Sequence, residues 1–214
     1  MNCIGLRQVL PNVFENRIDL HSDVWNKNID FKKGETYLLE AASGTGKSSL
    51  CSYIYGYRYD YKGTITFDSQ SILNLKMNDW VKIRTQHLSI LFQELRLFPE
   101  LTTYENIKLK NSLTNYRRED EIKTWFEQLG IADKINTKVG EISFGQQQRV
   151  AFIRALCQPF DFILLDEPIS HLDNENARVM TQILLKEIMN TGAGLIVTSI
   201  GKHLPMAYSK TLQL

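Results

Sequence analysis

The chain has 214 residues, 43% of them hydrophobic and 23% charged, with a formal net charge of +1. That length suits one large domain, or a domain with an inserted subdomain, and leaves ample chain to bury a core. A near-neutral balance supplies no long-range field to draw the chain to nucleic acid or anionic lipid.

The opening stretch MNCIGLRQVLPNVFENRIDL lacks a basic head followed by an apolar run, and so does not read as a secretory signal. Cys3, Cys51 and Cys157 are odd in number and far apart, which fits reduced thiols in a cytosolic protein better than a disulfide framework or a metal cluster. Apolar runs such as FDFILLDEP are too short, and too soon interrupted by charge, to span a bilayer. There is no internal repeat, low-complexity tract or Pro/Gly-rich linker.

In chain order, GETYLLEA (34–41) reads as a short buried strand running into a Gly-rich turn, and KSSLCSYIYG as the helix after it. The turn, Ala41-Ala42-Ser43-Gly44-Thr45-Gly46-Lys47-Ser48-Ser49, nearly spells a phosphate-binding loop, with Ala41 where its first glycine belongs. Such a turn aims several backbone N–H groups and a helix dipole at one point. Lys47 brings a full charge for the outer phosphates, and the Ser48 hydroxyl can ligate Mg²⁺. Gly44 and Gly46 stand where backbone conformations closed to other residues are needed. Glu40 adds a carboxylate beside an anion site, a penalty unless it points away.

YIYGYRYDY sets tyrosines at every second position from Tyr53 to Tyr61, but without a basic surround it predicts packing rather than base stacking. KGTITFD (62–68) alternates like a strand. From about Glu94 to Cys157 the pattern turns helical. Ile122, Trp125, Phe126 and Leu129 share one face of a helix that stops at Gly130, and SFGQQQRVAFIRALCQ forms another, opened by Ser143. Strands return with FDFILLD (160–166) and AGLIVTS (193–199), with MTQILLKEIMN as a helix between them. Strands alternating with helices predict an α/β fold with a mixed, mainly parallel sheet and an inserted α-helical subdomain. The boundaries are 1–93 and 158–214 for the core and 94–157 for the insertion.

FILLDEP ends a buried strand in two adjacent acids, which are costly there unless they act. Asp166 suits a contact to a Mg²⁺ ion, and Glu167 suits the base that polarises an attacking water. An acidic helix cap is the plainer alternative.

With ISFGQQQRVAFIRAL (142–156) between these motifs, the chain resembles the ATP-binding subunits of ABC transporters over nearly its full length. Ser143, Gly145 and Gln146 match the signature motif of that family. Gln93 matches its glutamine loop, and Ser170-His171-Leu172-Asp173 the loop after the acidic pair. The stretch FQELRLFPELTTYENI is most similar to the small ATPases of lipoprotein release, macrolide export and cell division.

The resemblance implies a P-loop NTPase of ABC type that binds ATP and Mg²⁺. Its site residues would be Phe14 on the adenine, the loop 41–49, Ser48, Gln93 and Asp166 at the metal, and Glu167, Gln93 and Ser199 at the reacting phosphate. Phe14 fits an ordinary core aromatic equally well. Ser143, Phe144, Gly145 and Gln146 would cap the nucleotide of a second ATPase subunit facing this one head to tail, in a homodimer or a heterodimer. Integral membrane permease subunits would be the other partners, placing the chain in the cytoplasm, peripheral on the inner face of the cell membrane. Leu95, Leu97 and Phe98, beside Gln93, would be apolar contacts to them or core residues.

Two departures bear on turnover. Phe144 replaces the signature's first glycine, and Ser199 stands where the family has a histidine that contacts the γ-phosphate. The leading expectation is an ATPase of low intrinsic activity. The alternative is a nucleotide-binding regulatory subunit with little hydrolysis. An ABC-type ATPase on DNA or ribosomes is disfavoured by charge and length.

Overall fold

The computed structural model describes residues 1–17 and 21–214. Four strands pair antiparallel in the order β2 (Asn28–Lys32), β1 (Cys3–Pro11), β4 (Tyr61–Phe67), β5 (Gln70–Ser71). Five more run parallel in the order β6 (Leu88–Leu91), β7 (Phe162–Asp166), β8 (Gly194–Ser199), β3 (Thr36–Glu40), β9 (Lys210–Gln213). The α/β class thus stands, with one refinement. The parallel sheet contains no antiparallel strand; the antiparallel pairs form a sheet of their own around the N-terminal β1. The sequence of β1 hid this. Its register with β4 shifts between Arg7 and Leu10, and Gln8 takes a positive φ of 51°, so simple alternation breaks mid-strand.

Leu38 and Leu39 are neighbours in β3 and both are buried, yet they belong to different cores. Strand side chains alternate faces, so Leu38, Ile163, Leu165, Leu195 and Val197 point to one side of the parallel sheet. Leu39, Phe162, Leu164 and Ile196 point to the other. The second face packs under the antiparallel sheet and α1 (Lys47–Ile54), with Leu50 and Ile54 fully buried. The first face packs against α5 (Phe144–Leu156) and α6 (Asn174–Thr191). That core runs on without a break into α4 (Glu119–Gln128) through Ile122, Trp125 and Phe126. Each large aliphatic buried this way contributes roughly 1.5–3 kcal/mol. Truncating Leu164 to Ala at the sheet's centre would cost about 2–5 kcal/mol.

The remaining helices are α2 (Met77–Gln86) and α3 (Thr103–Asn111). Thr102 opens α3 with a reciprocal cap: its hydroxyl accepts from the Glu105 N–H at 3.1 Å, and Glu105 Oε2 accepts from the Thr102 N–H at 2.7 Å. α4 ends two residues before Gly130, whose φ of 63° is the left-handed turn its sequence signalled.

The tyrosine run packs inward and sideways. Tyr53 and Tyr55 are buried, while Tyr57 lies 5.6 Å from Phe92 in a stacked pair. Cys51 and Cys157 are buried free thiols. No helix among the described residues is long and apolar enough to cross a membrane.

Candidate nucleotide site

The carboxyl ends of β3, β7 and β8 lie side by side, and that is where parallel α/β sheets hold ligands. β8 is the middle strand. Asp166 on β7 registers with Thr198, and Glu40 on β3 registers with Ser199. The loop leaving β3 is therefore one strand removed from the acidic pair leaving β7.

The loop closes on itself. The Thr45 hydroxyl and the Lys47 ammonium both donate to the Ala42 carbonyl, each at 2.9 Å. Lys47 is 5% exposed and its Nζ lies 3.7 Å from Glu167 Oε1. Gly46 caps α1 with φ 95°, a conformation few other residues tolerate. A Cβ there would also meet the Trp25 ring at 3.0 Å. Trp25 is a part of the site that the sequence did not announce. It is buried, its indole N–H donates to the Thr45 carbonyl at 2.9 Å, and it braces the loop from below. A lone tryptophan in a polar stretch carries no sequence signal of such a role.

Ala41 keeps its place without the expected glycine, because its N–H donates to the Ser199 carbonyl at 3.1 Å, continuing the sheet's ladder. Glu40 is drawn aside. Its carboxylate accepts from the Gln213 amide at 2.9 Å and faces His203 Nδ1 at 3.8 Å.

A cavity of about 310 Å³ opens over the loop, lined by Ser43, Gly44, Gly46, Lys47, Ser48 and Ser49. Gln93 and Glu167 complete its polar wall, with Val13 and Ile200 at the rim. The Ser48 hydroxyl donates to Gln93 Oε1 at 3.1 Å. Asp166, only 4% exposed, accepts from the Thr198 hydroxyl. Burial pushes its carboxyl above the ordinary aspartate range, against the Ser48 and Thr198 hydroxyls, which pull it down. Glu167 adopts a positive φ of 50°, rare for a side chain of its size, and its carbonyl is held by the Gln148 amide at 3.2 Å.

Ser199 does not stand as expected, and Phe14, Leu95 and Leu97 fall on the core side of their alternatives. Phe14 lines the cavity but is 4% exposed, edge-on to Trp25, and the Arg17 guanidinium sits 4.6 Å from its ring centroid. It is a core aromatic here, and no free face is offered for stacking. Ser199 is fully buried and its hydroxyl donates to the Lys202 carbonyl, so it does not reach the cavity. Leu95 is core at 2% exposure, Leu97 is partly buried against the same core, and only Phe98 is open, at 54%.

The signature residues lie away from this cavity. Ser143 caps α5 reciprocally with Gln146: its hydroxyl accepts from the Gln146 N–H at 3.3 Å, and its own N–H donates to Gln146 Oε1 at 2.9 Å. Phe144 is 43% exposed and leans on the His171 ring. Gly145 lies so close to the His171 carbonyl that a Cβ would sit 3.0 Å from it.

A strand-to-helix phosphate loop, a bridging glutamine and an acidic strand end define a nucleotide-binding cassette of the P-loop class. The chain belongs to the ABC transporter family, whose model matches residues 24–170. Among curated relatives it is 31% identical to the ABC transporter ATP-binding protein YtrE of Bacillus subtilis, covering 79% of this chain and 74% of that one. It is 29% identical to the lipoprotein-releasing system ATP-binding protein LolD of Geobacter metallireducens, covering 94% and 89%. It is 31% identical to the macrolide export ATP-binding/permease protein MacB of Campylobacter jejuni, but spans only 28% of that protein's length. Among solved structures, the dimeric bacterial ABC transporter cassette MJ0796 superposes with a TM-score of 0.74 at 29% identity, covering 91% of this chain and 87% of that one. The same cassette in a post-hydrolysis state bound to ADP and Pi gives 0.72 at 27% identity.

Proposed function

We propose that the chain is the ATPase subunit of an ABC transporter-like complex, hydrolysing ATP at a head-to-tail dimer interface to move separate membrane subunits. The observation that carries this reading is the convergence of Lys47, Ser48, Gln93 and Glu167 on one cavity at the carboxyl ends of parallel strands, with Asp166 buried beside the Ser48 hydroxyl. Backbone N–H groups of residues 43–48 hold the phosphates, and Lys47, released from the Ala42 carbonyl, meets the outer ones. Glu167 orients and polarises the attacking water.

The Ser48 hydroxyl, the Gln93 amide oxygen and the Asp166 carboxylate make an all-oxygen set suited to Mg²⁺. Mg²⁺ of this kind is held by few protein ligands plus phosphate. Bound there, Mg²⁺ would neutralise charge on the transferring phosphate. The cap of Ser143 and Gln146 opens outward from its own chain, as a surface presented to a second ATPase subunit would. Residues 94–157 are the mobile signature subdomain in this reading, and the surface near Gln93, where Phe98 is open, is where a membrane subunit reads its motion. Such a subunit would hold the chain at the inner face of the membrane, in a system of the lipoprotein-release or macrolide-export kind. Steady-state Mg-ATP hydrolysis over a range of protein concentrations tests the reading. Turnover rising faster than linearly supports it, and a chain that fails to bind ATP sinks it.

A further inference from the structure

Gln148 stands on α5 at 2% exposure, with Val150, Ala151, Phe152 and Ile153 buried after it. Its amide N–H donates to the Glu167 carbonyl at 3.2 Å and lies 3.5 Å from the Ser170 hydroxyl oxygen. The acceptor on Glu167 dictates that Nε2 faces it, and Oε1 is left with no hydrogen-bond partner among the described residues. A buried amide oxygen without a donor opposes folding, and an apolar side chain of similar length would avoid that loss. Packing therefore gives no reason for a glutamine at 148. The N–H does.

What that N–H holds is a strained residue. Glu167 takes a positive φ of 50°, which persists only where the surroundings fix it. Its own N–H donates to the Thr198 carbonyl of β8 at 3.1 Å. Its carbonyl accepts from Gln148, and from the Ser170 N–H only at 3.4 Å. Glu167 is thus pinned to the parallel sheet on one side and to α5 on the other. A return to ordinary φ would turn its Cα–Cβ bond and carry the carboxylate from its place 3.7 Å from Lys47 Nζ. Gln148 is not among the residues that line the cavity over the phosphate loop, so its route to the chemistry there runs through Glu167.

We propose that Gln148 is a positioning residue for the reaction: its amide N–H fixes the left-handed backbone of Glu167 and thereby aims the carboxylate at the attacking water. The inference rests on the ATPase reading above and adds a residue that acts behind the base. Gln148 lies little more than one helical turn from Ser143, so the donor that sets Glu167 rides on the helix that presents the cap.

The test is Gln148→Met in the full chain, which keeps the length of the side chain and removes both the N–H and the unpaired oxygen. Mg-ATP hydrolysis, fluorescent-nucleotide binding and the urea midpoint are measured on each variant. Turnover should fall on the order of 10²-fold, the scale of a reacting group misplaced by about 1 Å, with nucleotide affinity held within about twofold. The urea midpoint should stay level or rise, because the orphaned oxygen is gone. The same substitution made in a Glu167→Gln chain should change the residual single-turnover rate by less than about twofold, since a residue acting through the base has nothing left to act on. An unchanged rate in Gln148→Met overturns the inference. So does a full further loss in the Glu167→Gln chain, or a fall in nucleotide affinity that matches the fall in rate. A lowered urea midpoint, or a chain that does not fold, would make Gln148 a structural residue and overturn it as well. A wild-type chain without turnover would instead sink the ATPase reading, and the inference with it.

Discussion

Phe144 packs its ring edge-on against the His171 imidazole of its own chain, centroids 4.4 Å apart and planes at 64°. The residue that replaces the signature's first glycine is thereby fastened to the loop after the acidic pair, whose Ser170 hydroxyl contacts His171 Nδ1 at 2.9 Å. In the proposed reading, this contact ties together two segments that a closing dimer would bring against a neighbour's nucleotide. Phe144→Ala should therefore raise the concentration-dependent ATPase rate several-fold. The lost aromatic contact should lower stability by no more than about 1 kcal/mol. Coupled ATPase assays against protein concentration, with a urea melt alongside, measure both.

Glu167 is held by its backbone, not by chance rotamers, in a left-handed conformation beside Lys47. Glu167→Gln preserves shape but removes the carboxylate proposed as the base. Turnover should fall by about 10²–10⁴ while Mg-ATP affinity survives. Fluorescent-nucleotide titration beside the rate assay separates the two effects. An unchanged rate would mean that Glu167 is only a cap.

The buried hydroxyl of Ser199 bonds Lys202, whose ammonium in turn reaches the Leu172 carbonyl. Ser199→Ala should leave turnover unchanged and cost about 1 kcal/mol, one net hydrogen bond. Ser199→His, which restores the family's residue, should not raise activity. It forces a ring into a filled site at a cost of roughly 1–3 kcal/mol. A rate gain in the histidine variant would show that the strand end rearranges.

Asp161 lies far from the nucleotide site. Burial would raise its carboxyl, but Lys33, the Met1 amine at 2.7 Å and His87 Nδ1 at 2.6 Å together pull it down to about 2. A carboxyl depressed on folding contributes stability that is present above its unfolded value near 4 and fades as pH falls toward 2. A shift of this size corresponds to roughly 2 kcal/mol at neutral pH. Asp161→Asn should lose about that much at pH 7 and far less at pH 2. Urea midpoints at the two pH values measure the difference.

Local chemistry was legible in the sequence, and direction was not. Lys47, Ser48, Asp166 and Glu167 declare themselves because loops, strand ends and adjacent acids leave spacing patterns, whereas Gln93 was reached only through the family resemblance. Trp25 and Thr198, which brace the loop and hold Asp166, are distant in sequence from what they touch, so nothing in the chain's order marks them. Ser199 was visible as a substitution, but whether its hydroxyl faced the phosphates depended on the Gly201–Lys202 turn folding back over it. The parallel strands β3, β7 and β8 read clearly as apolar runs, whereas the short β6 and the exposed β9 went unread and β1 hid behind its own irregularity.

The Ala41 N–H is anchored by the Ser199 carbonyl, a bond between two peptide groups that ignores both side chains. Whatever stands at 41 or 199, the loop inherits its starting point from the pitch of the neighbouring strand. The two departures from family spelling therefore leave the place where the loop begins unaltered. Substitution at 199 leaves that anchor in place, whereas one residue removed from β8 would slide it by a full strand step, exchange the faces of Thr198 and Ser199, and strip Asp166 of its hydroxyl.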